Sequence, residues 1–112
     1  MSGFAEISVS DAIARVDAGA YLVDVREQDE WDRGHAPAAH SIPMSRLNES
    51  IDQIPTGQEV LVVCLSGGRS ARVSSALADT GRTPINVAGG MLAWALAGGD
   101  LEATAGDEPT IG

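Results

Sequence analysis

The strongest structural signal in this chain of 112 residues lies near its middle, in the segment Glu59-Val60-Leu61-Val62-Val63-Cys64-Leu65-Ser66-Gly67-Gly68-Arg69-Ser70. The unbroken aliphatic run before Cys64 predicts a strand buried on both faces, which places it centrally in a parallel sheet. A glycine pair follows, and then a helical pattern over residues 69–80. The segment therefore predicts a central strand, a tight loop at its carboxyl end and a helix.

The flanking sequence alternates short apolar strands with helical segments. Strands are predicted over residues 5–7, 21–25, 39–42 and 85–87, and helices over residues 8–18, 27–33, 46–54 and 91–97. Ser8 is a favourable N-cap for the first of these helices, and Gly19 ends it. This alternation is typical of an α/β fold with a mainly parallel sheet.

Size, charge and cysteine content narrow the range of functions. A chain of this length forms one compact domain. Seven arginines and no lysine oppose sixteen acidic residues, which gives a net charge of −9. So acidic a protein is repelled by phosphate backbones and anionic lipids, and we expect neither a nucleic-acid nor a membrane partner. The single cysteine cannot form an internal disulfide, and because a free thiol persists best in a reducing compartment, a cytoplasmic location is expected.

The composition changes near the carboxyl end of the chain. From Asp100 onward, four acidic residues, a proline and small residues replace the periodic pattern. We therefore expect one folded domain over residues 1–101 and an acidic, flexible tail over residues 102–112.

Cys64 lies where an α/β sheet places its ligands, at the carboxyl end of the central strand. The glycines of the loop allow a tight arc whose N–H groups point inward, and the N-terminus of the next helix adds positive potential. A cysteine in such surroundings has a lowered pKa and is a nucleophilic thiolate. Arg69, at the end of the loop, is expected to bind the anion from its open side. Ser70 is either an N-cap or a hydrogen-bond donor to the sulfur.

Three separated stretches resemble the rhodanese-like (sulfurtransferase) domain family, and together they span most of residues 5–101. The first is Leu22-Val23-Asp24-Val25-Arg26-Glu27 with Glu30-Trp31 and Gly34-His35. The second is Cys64-Leu65-Ser66-Gly67-Gly68-Arg69-Ser70, which is similar to the active-site loop of the family. The third is Asn86-Val87-Ala88-Gly89-Gly90-Met91-Leu92-Ala93-Trp94.

The resemblance implies a three-layer α/β/α fold with a mainly parallel five-stranded sheet. It also implies a sulfurtransferase of the single-domain type, in which Cys64 takes a sulfane sulfur from thiosulfate or a persulfide. The resulting persulfide passes its outer sulfur to cyanide or a thiol, and no metal or organic cofactor is needed. The substrate-binding residues would be those of the loop, Leu65, Ser66, Gly67, Gly68, Arg69 and Ser70.

Loop length and loop composition refine this expectation. Four residues separate Cys64 from Arg69, whereas the dual-specificity phosphatases that share this fold have one more, which widens the loop for phosphate. The shorter loop favours sulfur chemistry. Leu65 stands where the family often has a basic or polar residue, which makes the dianion thiosulfate a less certain donor and a neutral or protein-bound persulfide a more attractive one.

Three residues outside the loop are candidates for supporting roles. Asp24 and Arg26 lie two apart on one strand face, so they are expected to bond each other or to brace the loop rather than to catalyse. His35 is expected to be a hydrogen-bonded loop histidine rather than a general base. Two alternatives to an independent enzyme stay open: a weakly active or inactive binding or regulatory module, and a relay that takes sulfur from one protein and gives it to another.

Overall fold

The computed structural model describes residues 3–112 and contains one five-stranded, all-parallel sheet. Its strands are β1 (Ala5–Ile7), β2 (Tyr21–Asp24), β3 (His40–Ser41), β4 (Glu59–Val63) and β5 (Thr83–Val87), in the order β1-β5-β4-β2-β3. The strand that the sequence placed at the centre is β4, where Leu61 pairs with Leu22 on one side and Ile85 on the other. The predicted α/β class and the parallel sheet are confirmed.

Five α-helices lie within residues 3–112. They are α1 (Val9–Asp17), α2 (Gln28–Arg33), α3 (Leu47–Ser50), α4 (Gly68–Ala78) and α5 (Gly90–Leu96). Ser8 caps α1 as predicted, because its side-chain oxygen accepts a hydrogen bond from the N–H of Asp11 at 3.2 Å. None of the helices in residues 3–112 is long and apolar enough to cross a membrane.

Alternation along β4 divides the core into two clusters, one on each face of the sheet. Leu61 and Val63 pack with Ala12 of α1 and with Met91 and Trp94 of α5. The other face carries the side chains Val60, Val62 and Cys64, which pack with Val73 and Leu77 of α4 and with Ile54. The sulfur-bearing side chain therefore belongs to the α4 side of a three-layer structure.

The predicted single helix over residues 46–54 is wrong in detail. The chain instead forms a 3₁₀ turn at Met44–Arg46, the single-turn α3, and a second 3₁₀ turn at Ile51–Gln53. The stretch contains Asn48 and Ser50, residue types of lower helix propensity than Ala or Leu, which disfavours a continuous helix. The segmented path still directs Leu47, Ile51 and Ile54 toward the α4-side cluster.

The carboxyl-terminal segment, residues 101–111, contacts the residues around α2 and the core. His35 and Glu102 exchange two backbone hydrogen bonds of 2.9 Å, and the N–H of Thr110 donates to the carbonyl of Arg33 at 2.9 Å. Leu101 and Ile111 pack against the α1 side of the core. These contacts consist mainly of backbone hydrogen bonds, which composition does not reveal.

Candidate active site

Cys64 follows the last residue of β4 and lies between the ends of its neighbours β2 and β5. The residue is almost completely buried, at 1 % exposure. The backbone N–H of Gly67 donates a hydrogen bond to Sγ at 3.0 Å. Gly67 has a φ of +120°, a conformation open to glycine but strained for other residues, and this conformation turns the loop back over the sulfur.

Ser70, in the first turn of α4, is the second donor to the sulfur. Its hydroxyl lies 3.3 Å from Sγ and 3.2 Å from the carbonyl oxygen of Gly67. One hydroxyl proton serves one of these acceptors at a time, and a thiolate is the stronger. The structure therefore uses Ser70 as a donor near the sulfur, while the N-cap position of α4 belongs to Gly67.

Two opposing effects set the ionisation of this thiol. Burial raises the pKa of Cys64, because it disfavours the thiolate. The Ser70 hydroxyl and the backbone N–H groups of Ser70, Gly67 and Ser66 lower it by bonding to the charged form. Together the hydrogen bonds outweigh burial, so the pKa of Cys64 lies below its ordinary value. The loop thus favours a thiolate.

The amino-terminal end of α5 is hydrogen-bonded to the backbone of the loop. The N–H of Met91 donates to the carbonyl of Cys64 at 2.8 Å, and the N–H of Leu92 donates to the carbonyl of Leu65 at 3.0 Å. A Cβ atom on Gly90 would overlap both of these carbonyl groups, so this position needs glycine for close approach. The close approach that Gly90 permits therefore allows the start of α5 to fix the backbone of Cys64 and Leu65.

Arg69 points to a carboxylate rather than to the sulfur. Its two terminal nitrogens bind the two oxygens of Glu30 at 2.6 Å and 2.9 Å, a bidentate ion pair. The hydrogen bond from Arg69 lowers the pKa of Glu30, burial raises it, and the N–H of Glu27 lowers it further, so that it falls to about 2. The same pair raises the pKa of Arg69. Sequence reasoning assigned no role to Glu30, although the stretch that resembles the family includes it.

Asp24 and Arg26 form a second ion pair, which is fully buried. The guanidinium binds the carboxylate with three hydrogen bonds of 2.8–3.1 Å. It also donates to the carbonyl oxygens of Gly34 at 2.7 Å and of Glu30 at 3.5 Å. This pair therefore fastens the end of β2 to the middle of α2 at Glu30 and to its carboxyl end at Gly34, an arrangement suited to bracing.

His35 lies in the same turn and makes local contacts. Its Nδ1 is 2.7 Å from the carbonyl oxygen of Trp31, and its ring stacks on that indole with centroids 3.7 Å apart. Its Nε2 is 3.5 Å from a carboxylate oxygen of Glu102. Within residues 3–112, no three His, Cys, Asp or Glu side chains converge in a way that could hold a metal ion.

The comparisons with known proteins agree with this architecture. The sequence model of the family described as Rhodanese-like domain matches residues 8–97. The chain belongs to the rhodanese-like domain family. The matched region contains Cys64, its loop, both ion pairs and the glycines under the loop.

Individual relatives of this rhodanese-like domain carry sulfurtransferase names. It is 36 % identical to YtwF, a candidate sulfurtransferase of Bacillus subtilis, over 80 % of this chain and 88 % of that protein. It is 34 % identical to thiosulfate sulfurtransferase 18 of Arabidopsis thaliana, over 79 % of this chain and 76 % of the relative. The solved structure of a rhodanese-related protein from Thermoplasma volcanium superposes with a TM-score of 0.81 at 28 % identity, covering 88 % of this chain and 97 % of that one. At the level of the family, these findings support sulfur transfer of the rhodanese type.

Proposed function

We propose that this rhodanese-like domain is a sulfurtransferase that carries a sulfane sulfur as a persulfide on Cys64. The observation that carries the proposal is the pair of donors, the N–H of Gly67 and the hydroxyl of Ser70, directed at one buried sulfur. Such donors stabilise a thiolate before the reaction and a persulfide anion after it. Sulfurtransferase names on relatives at 34–36 % identity support the same activity.

The reaction requires two displacements and no redox partner. The Cys64 thiolate attacks the outer sulfur of a donor such as thiosulfate; a new S–S bond forms, the donor's own S–S bond breaks, and sulfite leaves with the bonding electron pair. A thiophilic acceptor such as cyanide or a thiolate then attacks the outer sulfur of the persulfide. Cyanide gives thiocyanate and a thiolate gives a new persulfide, and in both cases the Cys64 thiolate is regenerated.

The proposal is tested by measuring the intact mass of the protein after incubation with thiosulfate or, separately, with glutathione persulfide. We expect the mass of one added sulfur atom, absent in Cys64→Ser and lost on addition of cyanide with release of thiocyanate. Loading by glutathione persulfide alone would favour a sulfur relay. No adduct from either donor would overturn the proposal and leave a binding or regulatory module.

The pH dependence of alkylation tests the chemical basis of the same proposal. Because the pKa of Cys64 is lowered, the rate of iodoacetamide modification should reach half its maximum at a lower pH than for an ordinary free thiol measured in parallel. Ser70→Ala removes one donor and should move this midpoint upward. A midpoint at or above the ordinary value in the unmodified protein would contradict the thiolate.

A further inference from the structure

The mouth of the site is formed by the loop from Cys64 to Ser70, and the one positive charge of this loop is paired. In the loop from Cys64 to Ser70 the one charged side chain is that of Arg69, and both of its terminal nitrogens bind Glu30. Leu65, next to the cysteine, is half-buried and uncharged. An incoming donor therefore meets backbone N–H groups and an arginine that is already neutralised.

Glu30 is held in place rather than free to leave. It is the third residue of α2, where its carboxylate also accepts a hydrogen bond from the N–H of Glu27 at 3.1 Å, completing a capping box. The carboxylate of Glu27 in turn accepts a hydrogen bond from the hydroxyl of Ser45 at 2.6 Å. The side chain of Glu30 is mostly buried, at 18 % exposure.

The opposite end of α2 is held by the carboxyl-terminal segment. The N–H and hydroxyl of Thr104 bond the carbonyl and carboxylate of Asp32 at 3.1 Å and 2.9 Å. These contacts matter because α2 has no fully buried residue of its own. Hydrogen bonds at its two ends thus fix the helix that presents Glu30 to Arg69.

Charge then distinguishes between sulfur donors. Attack on thiosulfate brings a dianion to a thiolate, and the sulfite that leaves is again a dianion. Attack on a persulfide or an organic thiosulfonate involves a donor with at most one negative charge. At a mouth whose only loop arginine is neutralised, the dianion meets the greater repulsion, and the chain as a whole adds to it with a net charge of −9.

We propose that Glu30 is a specificity-determining residue, which by binding Arg69 selects sulfur donors that carry no more than one negative charge. This inference rests on the proposed function, and it names the substrate class as persulfides or similar monoanionic donors. Thiosulfate is then a poor donor for this rhodanese-like domain, because Glu30 already occupies the guanidinium.

The test compares two donors that differ by one charge. Thiosulfate and the methanethiosulfonate anion both transfer their outer sulfur, and they release sulfite and methanesulfinate respectively. Glu30→Gln removes the negative charge but keeps an oxygen that can accept the capping hydrogen bond. In single-turnover loading of Cys64 followed by mass spectrometry, we expect the rate constant for thiosulfate to rise about three- to tenfold in Glu30→Gln, and that for methanethiosulfonate by less than about twofold.

Two further variants separate this mechanism from a general charge effect. Asp29→Asn removes the same charge from the neighbouring, exposed position, whose partner is Arg33 rather than Arg69; it should leave the ratio of the two rate constants unchanged. Combining Glu30→Gln with Arg69→Leu should cancel the gain with thiosulfate, because the gain depends on the released guanidinium.

The outcomes also separate the inference from the proposed function. If the unmodified protein loads sulfur but Glu30→Gln leaves the donor ratio unchanged or lowers it, the specificity role of Glu30 is overturned and the sulfurtransferase stands. An equal rise in Asp29→Asn would overturn it as well. If neither these donors nor glutathione persulfide load Cys64, both proposals fail together.

Discussion

The two arginine–carboxylate pairs beside the end of β4 use the same groups in different surroundings. Arg26 and Asp24 are two residues apart, completely buried, and supported by further carbonyl acceptors. Arg69 and Glu30 are 39 residues apart and partly exposed, at 30 % and 18 %. A buried pair must remain intact because each charge alone would lack solvation, whereas water can solvate the charge that is left when one partner of a partly exposed pair is removed. The pair of Arg26 and Asp24 is suited to bracing the fold, whereas the pair of Arg69 and Glu30 lies at the entrance to the site.

The largest effect expected from this contrast is on stability. Arg26→Leu leaves the carboxylate of Asp24 buried without its partner and should lower the free energy of unfolding by about 3–5 kcal/mol. The same substitution at Arg69 should cost less, about 1–2 kcal/mol, because water reaches part of the remaining carboxylate. Urea unfolding measures both.

Arg33→Leu serves as the matched control for this experiment. Arg33 is exposed and lies 3.7 Å from Asp29, so its loss should change stability by no more than about 0.5 kcal/mol. If Arg26→Leu and Arg69→Leu lowered the free energy of unfolding equally, the distinction between the two ion pairs would be wrong.

The second prediction concerns the ion pair of Arg69 and Glu30, and specifically the pH at which Glu30 titrates. In the folded protein its carboxyl should titrate at about pH 2 instead of 4.5. Since the pKa is lowered on folding, the pair contributes its full stability above about pH 4.5 and loses it as the pH falls toward 2. Carbon-13 NMR of the glutamate carboxyl groups follows this titration directly.

Arg69→Leu is the informative control, because it removes the largest cause of the shift in Glu30. The midpoint should then move back toward the ordinary value. A midpoint near 4.5 in the unmodified protein would show that the pair does not persist in solution.

The central strand, the loop and the helix that follows it could be predicted from the sequence, because the residues that determine them are close together in the chain. The aliphatic run of β4, the glycines after Cys64 and the start of α4 lie within a dozen residues, and the structure places them as the sequence indicates. The partner of Arg69 could not be predicted in this way. Glu30 meets it only because β2 and β4 are neighbours in the sheet, which brings residues far apart in the chain to one edge.

The contacts of the carboxyl-terminal segment could not be predicted for a different reason. Its bonds to residues 32–35 are made mostly by backbone groups, which every sequence offers equally. Acidic and small residues there suggested disorder, whereas the half-buried side chains Leu101 and Ile111 are too few to form a periodic pattern. The flexibility of residues 102–112 stays a prediction.

A smaller effect than that at Arg26 is predicted for this segment. Thr104→Val removes the hydroxyl that donates to the carboxylate of Asp32 and should lower stability by about 0.5–1.5 kcal/mol. It should also speed hydrogen exchange at the amide of His35, which bonds the carbonyl of Glu102.

Thr110→Val is the matched control, because the hydrogen bond of Thr110 is made by its backbone N–H. This variant should leave the exchange of the His35 amide unchanged. Rapid exchange of that amide in the unmodified protein would indicate a flexible tail, as composition alone suggests.

The close packing of Gly90 against the backbone of the loop limits how the loop can be redesigned. Because a single methyl group at this position would overlap the carbonyls of Cys64 and Leu65, there is no spare space between loop and helix. Inserting one residue between Cys64 and Arg69 is the obvious way to make the loop wide enough for phosphate. The inserted residue would have to bulge outward or displace the start of α5. Conversion of this scaffold to ester hydrolysis would thus require a longer loop together with either an outward bulge of that loop or a shift of the start of α5.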